Sequence, residues 1–266
     1  MESSCSREAV IESLKGKGPV LVAYSGGVDS SLLAALAVRA LGRERVRCVL
    51  LDSPLLPRRE VREAEETAAR LDLPLEVVPF PILEDEAFRA NRPDRCYTCK
   101  KASSRLLKEL ARREGIGTVA DGTNVSDLGI YRPGLAASDE EGVRHPLAAA
   151  GAAKEDVRRI ARECGLPFWN KPSAACLATR IPYGDEVTEE ALARIEAAEE
   201  ALHDRGFSQV RIRVHGGVAR IEALPDALER LFAMRDEVTA TLREIGFAYV
   251  ALDLTGYRSG SMDEVL

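Results

Sequence analysis

The sequence predicts an α/β protein: a doubly wound parallel sheet followed by a smaller C-terminal α+β domain. Three observations carry that prediction. Short apolar runs alternate with helical patterns through the first half of the chain, a Ser-Gly-Gly turn separates the first run from the first helix, and past Tyr183 the pattern changes to strands that alternate apolar with charged residues.

Val20–Ala23 is a short apolar strand stopped by Ser25-Gly26-Gly27, and Ser30–Leu41 follows with an Ala/Leu-rich helical pattern. Val46–Leu51 is a β-branched strand ending at Asp52, and Arg59–Leu71 is a solvated helix rich in Glu, Ala and Arg. Leu75–Val78 reads as a third strand, Ala102–Glu114 as a helix, and Thr118–Ala120 as a strand ending at Asp121-Gly122. Residues 126–150 show little periodicity and read as an ordered functional loop or an obscured helix. Lys154–Cys164 is a helix, and Lys171–Gly184 is irregular and rich in Pro and small residues. The expected domains are therefore 1–182, holding the parallel sheet, and 183–266, a small substrate-binding or oligomerisation domain. In the latter, Glu189–Arg205 is helical, Gln209–His215 and Ala219–Ala223 alternate as strands, Asp226–Glu244 is one long helix, and Ala248–Leu252 is a last strand.

A chain of 266 residues buries a full core, and its 45% apolar content is too high for a disordered chain. The run Pro19–Tyr24 is far shorter than the roughly 20 residues that span a bilayer, and Met1–Ser6 lacks the layout of a signal peptide, so a cytoplasmic location and no membrane partner are expected. With 43 acidic and 37 basic side chains the net charge is −6, which argues against a protein that grips nucleic acid through its phosphates. The six cysteines do not read as a disulfide framework.

The segment Tyr24-Ser25-Gly26-Gly27-Val28-Asp29-Ser30-Ser31 follows a strand and opens a helix. Glycines there let backbone N–H groups approach an anion, Ser25, Ser30 and Ser31 add hydroxyls, and the helix N-terminus adds favourable partial charge. The loop lacks the Lys of a Walker motif and the spacing of a dinucleotide fingerprint. A second group of residues is Arg95-Cys96-Tyr97-Thr98-Cys99-Lys100 together with Cys176, three thiols in cation-rich segments that favour thiolates. Structural zinc wants four protein ligands, so three thiols favour a cluster with one open iron or a reactive trio. Cys5, in a frayed terminus, Cys48, in a strand, and Cys164, at a helix end, read as structural.

The Ser-Gly-Gly-Val-Asp-Ser loop resembles that of the PP-loop ATP pyrophosphatase superfamily, whose fold is adenine nucleotide alpha hydrolase-like. That resemblance implies ATP and Mg²⁺ as cofactors, with Ser25, Gly26, Gly27, Asp29 and Ser30 on the β,γ-phosphates, Asp29 through Mg²⁺, and Asp52 near the nucleoside. Further motifs narrow the match: Asp121-Gly122-Thr123-Asn124, Tyr131-Arg132-Pro133-Gly134, Lys171–Gly184 with its Ala175-Cys176-Leu177-Ala178-Thr179-Arg180 core, and Val210–His215. Together they resemble the LarE family over roughly residues 10–255. Its members are ATP-dependent sulfur transferases of nickel-pincer nucleotide cofactor biosynthesis.

The family resemblance implies adenylation of a carboxylate of pyridinium biscarboxylic acid mononucleotide, its conversion to a thiocarboxylate, and Cys176 as the matching sulfur nucleophile. Gly122 and Asn124 join the cofactor-binding set. Some members sacrifice that cysteine, whereas others hold a 4Fe-4S cluster on three thiols; Cys96, Cys99 and Cys176 point to the second kind. The resemblance also implies a homo-oligomer and a place beside the other enzymes of nickel-pincer cofactor synthesis. Arg211 and Arg213, two apart on one strand face, are candidates for the substrate phosphate, as is Arg180. Glu196, Glu199, Glu200 and Glu222 are candidates for a second metal site. Two other readings stay open at this point: a tRNA thiolase of the same superfamily, which would want a basic extension that the chain lacks, and a zinc-stabilised, non-catalytic nucleotide-binding protein.

Overall fold

In the computed structural model, residues 5–128, 133–172, 175–258 and 260–262 are described. Contacts divide the chain into one unit of Met1–Ser53, Arg58–Ile82 and Asp94–Ala174, and a second of Pro54–Pro57, Leu83–Pro93 and Ala175–Leu266. The boundary expected after residue 182 falls inside the second unit. Residues 83–93 belong there because Asn91 Nδ2 donates to the carbonyls of Pro182 and Asp185 at 2.7 and 2.8 Å, and Val187 N–H to that of Arg89 at 2.9 Å.

The first unit is built on a four-stranded parallel sheet in the order β3-β2-β1-β4, from β1 (Val20–Ala23), β2 (Val46–Asp52), β3 (Leu75–Pro79) and β4 (Thr118–Ala120). Buried on both faces, β1 is apolar without alternation, as parallel strands are. Its helices are α1 (Arg7–Leu14), α2 (Val28–Leu41), α3 (Arg58–Arg70), α5 (Arg95–Arg113), α6 (Val125–Leu128), α7 (Pro133–Glu140), α8 (Pro146–Ala149) and α9 (Lys154–Glu163); α4 (Glu86–Arg89) belongs to the second unit. The chain moves outward from β1 to β3 and then returns to β4 on β1's other side. The gap between the carboxyl ends of β1 and β4 is therefore the topological switch point, where doubly wound sheets take ligands.

The second unit carries α10 (Glu189–Asp204), α11 (Leu228–Ala233), α12 (Arg235–Glu244) and a three-stranded sheet. In it β5 (Val210–His215) is antiparallel to β6 (Val218–Ala223), and β6 is parallel to β7 (Tyr249–Leu252). Val210 and Ile212 face a core shared with Leu202, Phe207, Leu242 and Phe247, which leaves Arg211 and Arg213 on the opposite face. No helix among the described residues is long and apolar enough to cross a membrane.

Three expectations are corrected and one open alternative is resolved. Helix α5 begins at Arg95 rather than Ala102, so Cys96 and Cys99 sit on a helix and not in a loop; Tyr97 Oη and Lys101 Nζ reach Glu140 at 2.6 and 2.8 Å and hold those first turns against α7. The stretch 126–150 contains the short helices α6, α7 and α8, too brief to show periodicity. The long helix expected over 226–244 is α11 and α12, broken at Met234. Cys5 lies not in a frayed end but buried ahead of α1, whose start Ser6 caps by accepting the Ala9 N–H at 3.2 Å.

Candidate active site

Strand β1 delivers the chain at Ser25 to the mouth of the sheet, and Gly26 makes the turn with φ +72°. A Cβ at Gly26 would lie 2.4 Å from that of Ala64 on α3, so both the backbone angle and the close approach require glycine. Gly27 caps α2 without a side-chain bond to the helix's first N–H groups, which leaves them directed at the gap. The serines brace the turn instead: Ser30 Oγ accepts the Ser25 N–H at 3.2 Å and lies 3.1 Å from Ser25 Oγ. This is a pre-shaped anion cradle of backbone N–H groups and hydroxyls at a helix N-terminus.

Asp29, in the first turn of α2, is gripped from two directions. Asn124 Nδ2 donates to Oδ1 at 2.9 Å, and Lys154 Nζ, from the start of α9, pairs with Oδ2. Asn124 is itself buried and accepts the Ser126 N–H at 2.9 Å. Gly122 passes so close to α2 that an added Cβ would lie 2.8 Å from Ser30 N, which explains the glycine. Sequence reasoning named Asp29, Gly122 and Asn124 but missed Lys154; its position as the first residue of an expected helix was the available signal. Asp52, at the end of β2, is 2.6 Å from Arg58, and its carbonyl accepts the Phe80 N–H.

Beside the switch point, Asp121 is buried at the end of β4. Its Oδ2 accepts from Lys100 Nζ at 2.8 Å, while Oδ1 accepts from the Thr123 N–H at 3.1 Å and lies 2.6 Å from His145 Nδ1. Burial alone would raise this carboxyl, but the bond to His145 and the charges of Lys100 and His145 outweigh it and hold the group well below the usual carboxylate range.

All six cysteines are thiols. Cys96, exposed, and Cys99, half-buried, stand one turn apart in the first turns of α5. Cys176, half-buried, belongs to the second unit, just ahead of a 3₁₀ turn at Leu177–Arg180. Among the described residues no group of three His, Cys, Asp or Glu side chains is gathered as a metal site. Of the motifs singled out in the sequence, Tyr131, Arg132, Ser173 and Ala174 lie outside the described residues.

In the second unit the three arginines have different fates. Arg180 is 2% exposed: Nε and Nη2 chelate Glu199 at 2.9 Å each, and Nη1 donates to the carbonyls of Ala175 and Cys176 at 2.8 and 2.9 Å. Its guanidinium thus fixes the backbone at Cys176. Arg213 bonds Glu222 through Nε at 2.9 Å and the Thr179 carbonyl at 3.0 Å. Glu199 also accepts the Ile212 N–H, and Glu222 the Ser261 hydroxyl. These two glutamates are internal counter-ions, while Glu196 and Glu200 are half-buried on the same helix as Glu199. Arg211 makes no ion pair among the described residues. It donates to its neighbour's carbonyl and faces the Tyr257 ring at 5.5 Å. Burial, then the like charges of Arg180 and Arg213, push its pKa down despite Glu199, as expected for a cation lacking its anion.

The family model of NAD synthase matches residues 7–103, which take in the cradle and the first turns of α5. An uncharacterized protein of Synechocystis is 40% identical over 248 residues, 92% of each chain. The pyridinium-3,5-bisthiocarboxylic acid mononucleotide synthase of Lactiplantibacillus plantarum is 38% identical over 261 residues, 98% of this chain and 94% of its own. An uncharacterized protein of Methanocaldococcus jannaschii is 32% identical over 248 residues, 93% of this chain and 94% of its own.

Proposed function

The chain belongs to the LarE family of ATP-dependent sulfur transferases, and from that premise we propose that it adenylates a carboxylate of pyridinium biscarboxylic acid mononucleotide and converts it to a thiocarboxylate. The observation that carries this reading is the uncapped start of α2 behind Ser25-Gly26-Gly27, at the switch point and beside Asp29.

The cradle's N–H groups, with Ser25, Gly26, Gly27 and Ser30, take the β,γ-phosphates; Gly122 and Asn124 shape the wall, and Asp52 stands at the nucleoside end. Asp29 fits Mg²⁺ as a hard oxygen donor at the mouth, and the ion when bound neutralises phosphate charge. A substrate carboxylate oxygen attacks the α-phosphorus, the bond to the bridging oxygen breaks and pyrophosphate leaves. Sulfur then adds to the acyl carbon and AMP departs with the former carboxylate oxygen. Arg211 takes the substrate's phosphate, while Arg213 and Arg180, paired with Glu222 and Glu199, form the frame behind it.

Cys96 and Cys99 suit a cluster because two thiols share one helix face at the positive end of a dipole. With Cys176 they would hold a 4Fe-4S cluster, which would supply the sulfur, so that Cys176 is retained. The C-terminal domain, 183–266, binds substrate and joins copies of the chain into a homo-oligomer.

The test is to incubate anaerobic protein, with iron and sulfide, with ATP, Mg²⁺ and the pyridinium mononucleotide, and to weigh both the small molecule and the chain. Pyrophosphate, AMP and repeated thiocarboxylate formation with the chain mass unchanged support the reading. A loss of about 34 Da per product, one H₂S from a cysteine, overturns the cluster route in favour of sacrifice. ADP and phosphate as products overturn the adenylation.

A further inference from the structure

His145 lies between two carboxylates. Its Nδ1 is 2.6 Å from Asp121 Oδ1 on the end of β4, and its Nε2 is 3.1 Å from Asp139 Oδ1 on α7. A neutral imidazole has one N–H and one lone pair, so one ring nitrogen would face a carboxylate oxygen with no proton between them. Two ionised acceptors on opposite ring nitrogens instead match the doubly protonated imidazolium. Lys100 Nζ, on α5, completes a neutral set of two cations and two anions around buried Asp121.

Asp121 has a further bond that makes this arrangement matter. The Oδ1 that meets His145 also accepts the Thr123 N–H, closing the turn that carries Gly122 against the start of α2 and sends Asn124 onto Asp29. Residues 143–145 are themselves pinned to the sheet, with Arg144 N–H donating to Val119 and Asp121 N–H to the Arg144 carbonyl. We propose that His145 is a positioning residue: its imidazolium holds Asp121 and thereby the 121–124 turn that aims Asn124 at Asp29, so that nucleotide affinity is lost as pH rises and the ring becomes neutral. The inference rests on the nucleotide-site reading above.

Burial alone would lower the pKa of His145, but the bond and charge of Asp121, and then those of Asp139, outweigh it and raise the value above that of an ordinary histidine. A group raised on folding stabilises its surroundings below the ordinary histidine pKa and ceases to do so as pH passes the raised one. The affected limb is therefore the alkaline one. Both groups facing the ring are the carboxylates named, Asp121 and Asp139, with Lys100 behind the first.

The experiment measures MgATP affinity by calorimetry across the neutral to alkaline range for the full chain, for Asp139→Asn and for His145→Gln, so that titration of ATP itself cancels between them. The wild-type affinity falls by about tenfold through the transition, the order of one charge-assisted hydrogen bond. Asp139 is on the surface, so Asp139→Asn folds, and its midpoint moves to lower pH by about half a unit, the scale of an exposed ion pair. His145→Gln binds weakly at every pH with no step. Identical pH profiles for the three proteins overturn the proposal. Hydrogen exchange of the Thr123 amide across the same pH range separates the two readings. If no variant binds MgATP, the nucleotide-site reading fails, while an amide that opens at lower pH in Asp139→Asn still supports the clamp and an unchanged one refutes it.

Discussion

Two regions of this chain meet anionic groups by opposite means. At the carboxyl ends of β1 and β4 the cradle offers backbone N–H groups and hydroxyls, and its charged member, Asp29, pairs with a lysine while both side chains remain about a quarter exposed, at 22% and 25%. In the second unit, Arg180 and Arg213 are 2% and 5% exposed and locked to Glu199 and Glu222, which are 7% and 0% exposed. A solvated pair can exchange partners at little cost, whereas a buried one cannot lose a member without leaving a charge unpaired. On the proposed reading, the first region exchanges its cation when nucleotide and metal bind. The second is a fixed frame that leaves Arg211 as its available charge.

The largest effect should come from breaking that frame. Glu199→Ala strands Arg180 and removes the acceptor of Ile212 N–H, and should cost about 3–5 kcal/mol in urea unfolding. Asp29→Ala should cost less, about 1–2 kcal/mol on the same scale, because its partner Lys154 can turn to water and only the buried Asn124 amide loses an acceptor. Equal costs at the two positions would break the contrast.

Activity should show the reverse order. Asp29→Ala should lower pyrophosphate formation by about 10²–10³-fold, the range for removing a group that stabilises developing charge, while the fold persists by circular dichroism. Next in size, Arg211→Ala should weaken the pyridinium mononucleotide by roughly ten- to a hundredfold, about 1.5–3 kcal/mol, and leave ATP affinity unchanged. Arg211 is the residue to test singly, because removing Arg213 would also take one of two arginine partners from buried Glu222. An Arg211→Ala variant with wild-type substrate affinity by calorimetry would remove the exchangeable role assigned to it.

Much of this contrast was legible in the sequence because it rests on local pattern. Ser25-Gly26-Gly27 between a strand and a helix fixes the cradle, and the alternation Val210, Ile212 against Arg211, Arg213 fixes which face carries the charges. The charge pairing was not legible, because it depends on contacts between distant segments: Arg180 with Glu199, Arg213 with Glu222, Asp29 with Lys154 125 residues away. Nor was the start of α5. Its first turns carry Cys96, Thr98 and Cys99, which have no strong helical preference, and are held by Glu140 from α7, itself within the stretch that lacked periodicity. The convergence of Asp121 and Asp139 on His145 was not legible either, because it joins the end of β4 to α7 and the residue ahead of α8.

The smallest predicted effect sharpens the account of Arg211. Having no ion pair among the described residues, its guanidinium is oriented by the Tyr257 ring at 5.5 Å and by the Val210 carbonyl at 2.8 Å. A cation–π contact at a partly exposed site is worth about 0.5–1 kcal/mol, so Tyr257→Leu should weaken the pyridinium mononucleotide by about two- to fivefold. Tyr257→Phe keeps the ring face and should bind like the wild type. The measurement is substrate affinity by calorimetry for both variants, with and without Arg211→Ala. If the ring acts by aiming the guanidinium, Tyr257→Leu adds nothing once Arg211 is gone, because both changes remove one interaction. Additive losses would show instead that Tyr257 meets the substrate directly, and that the phosphate end of the site extends past the arginine to the aromatic ring.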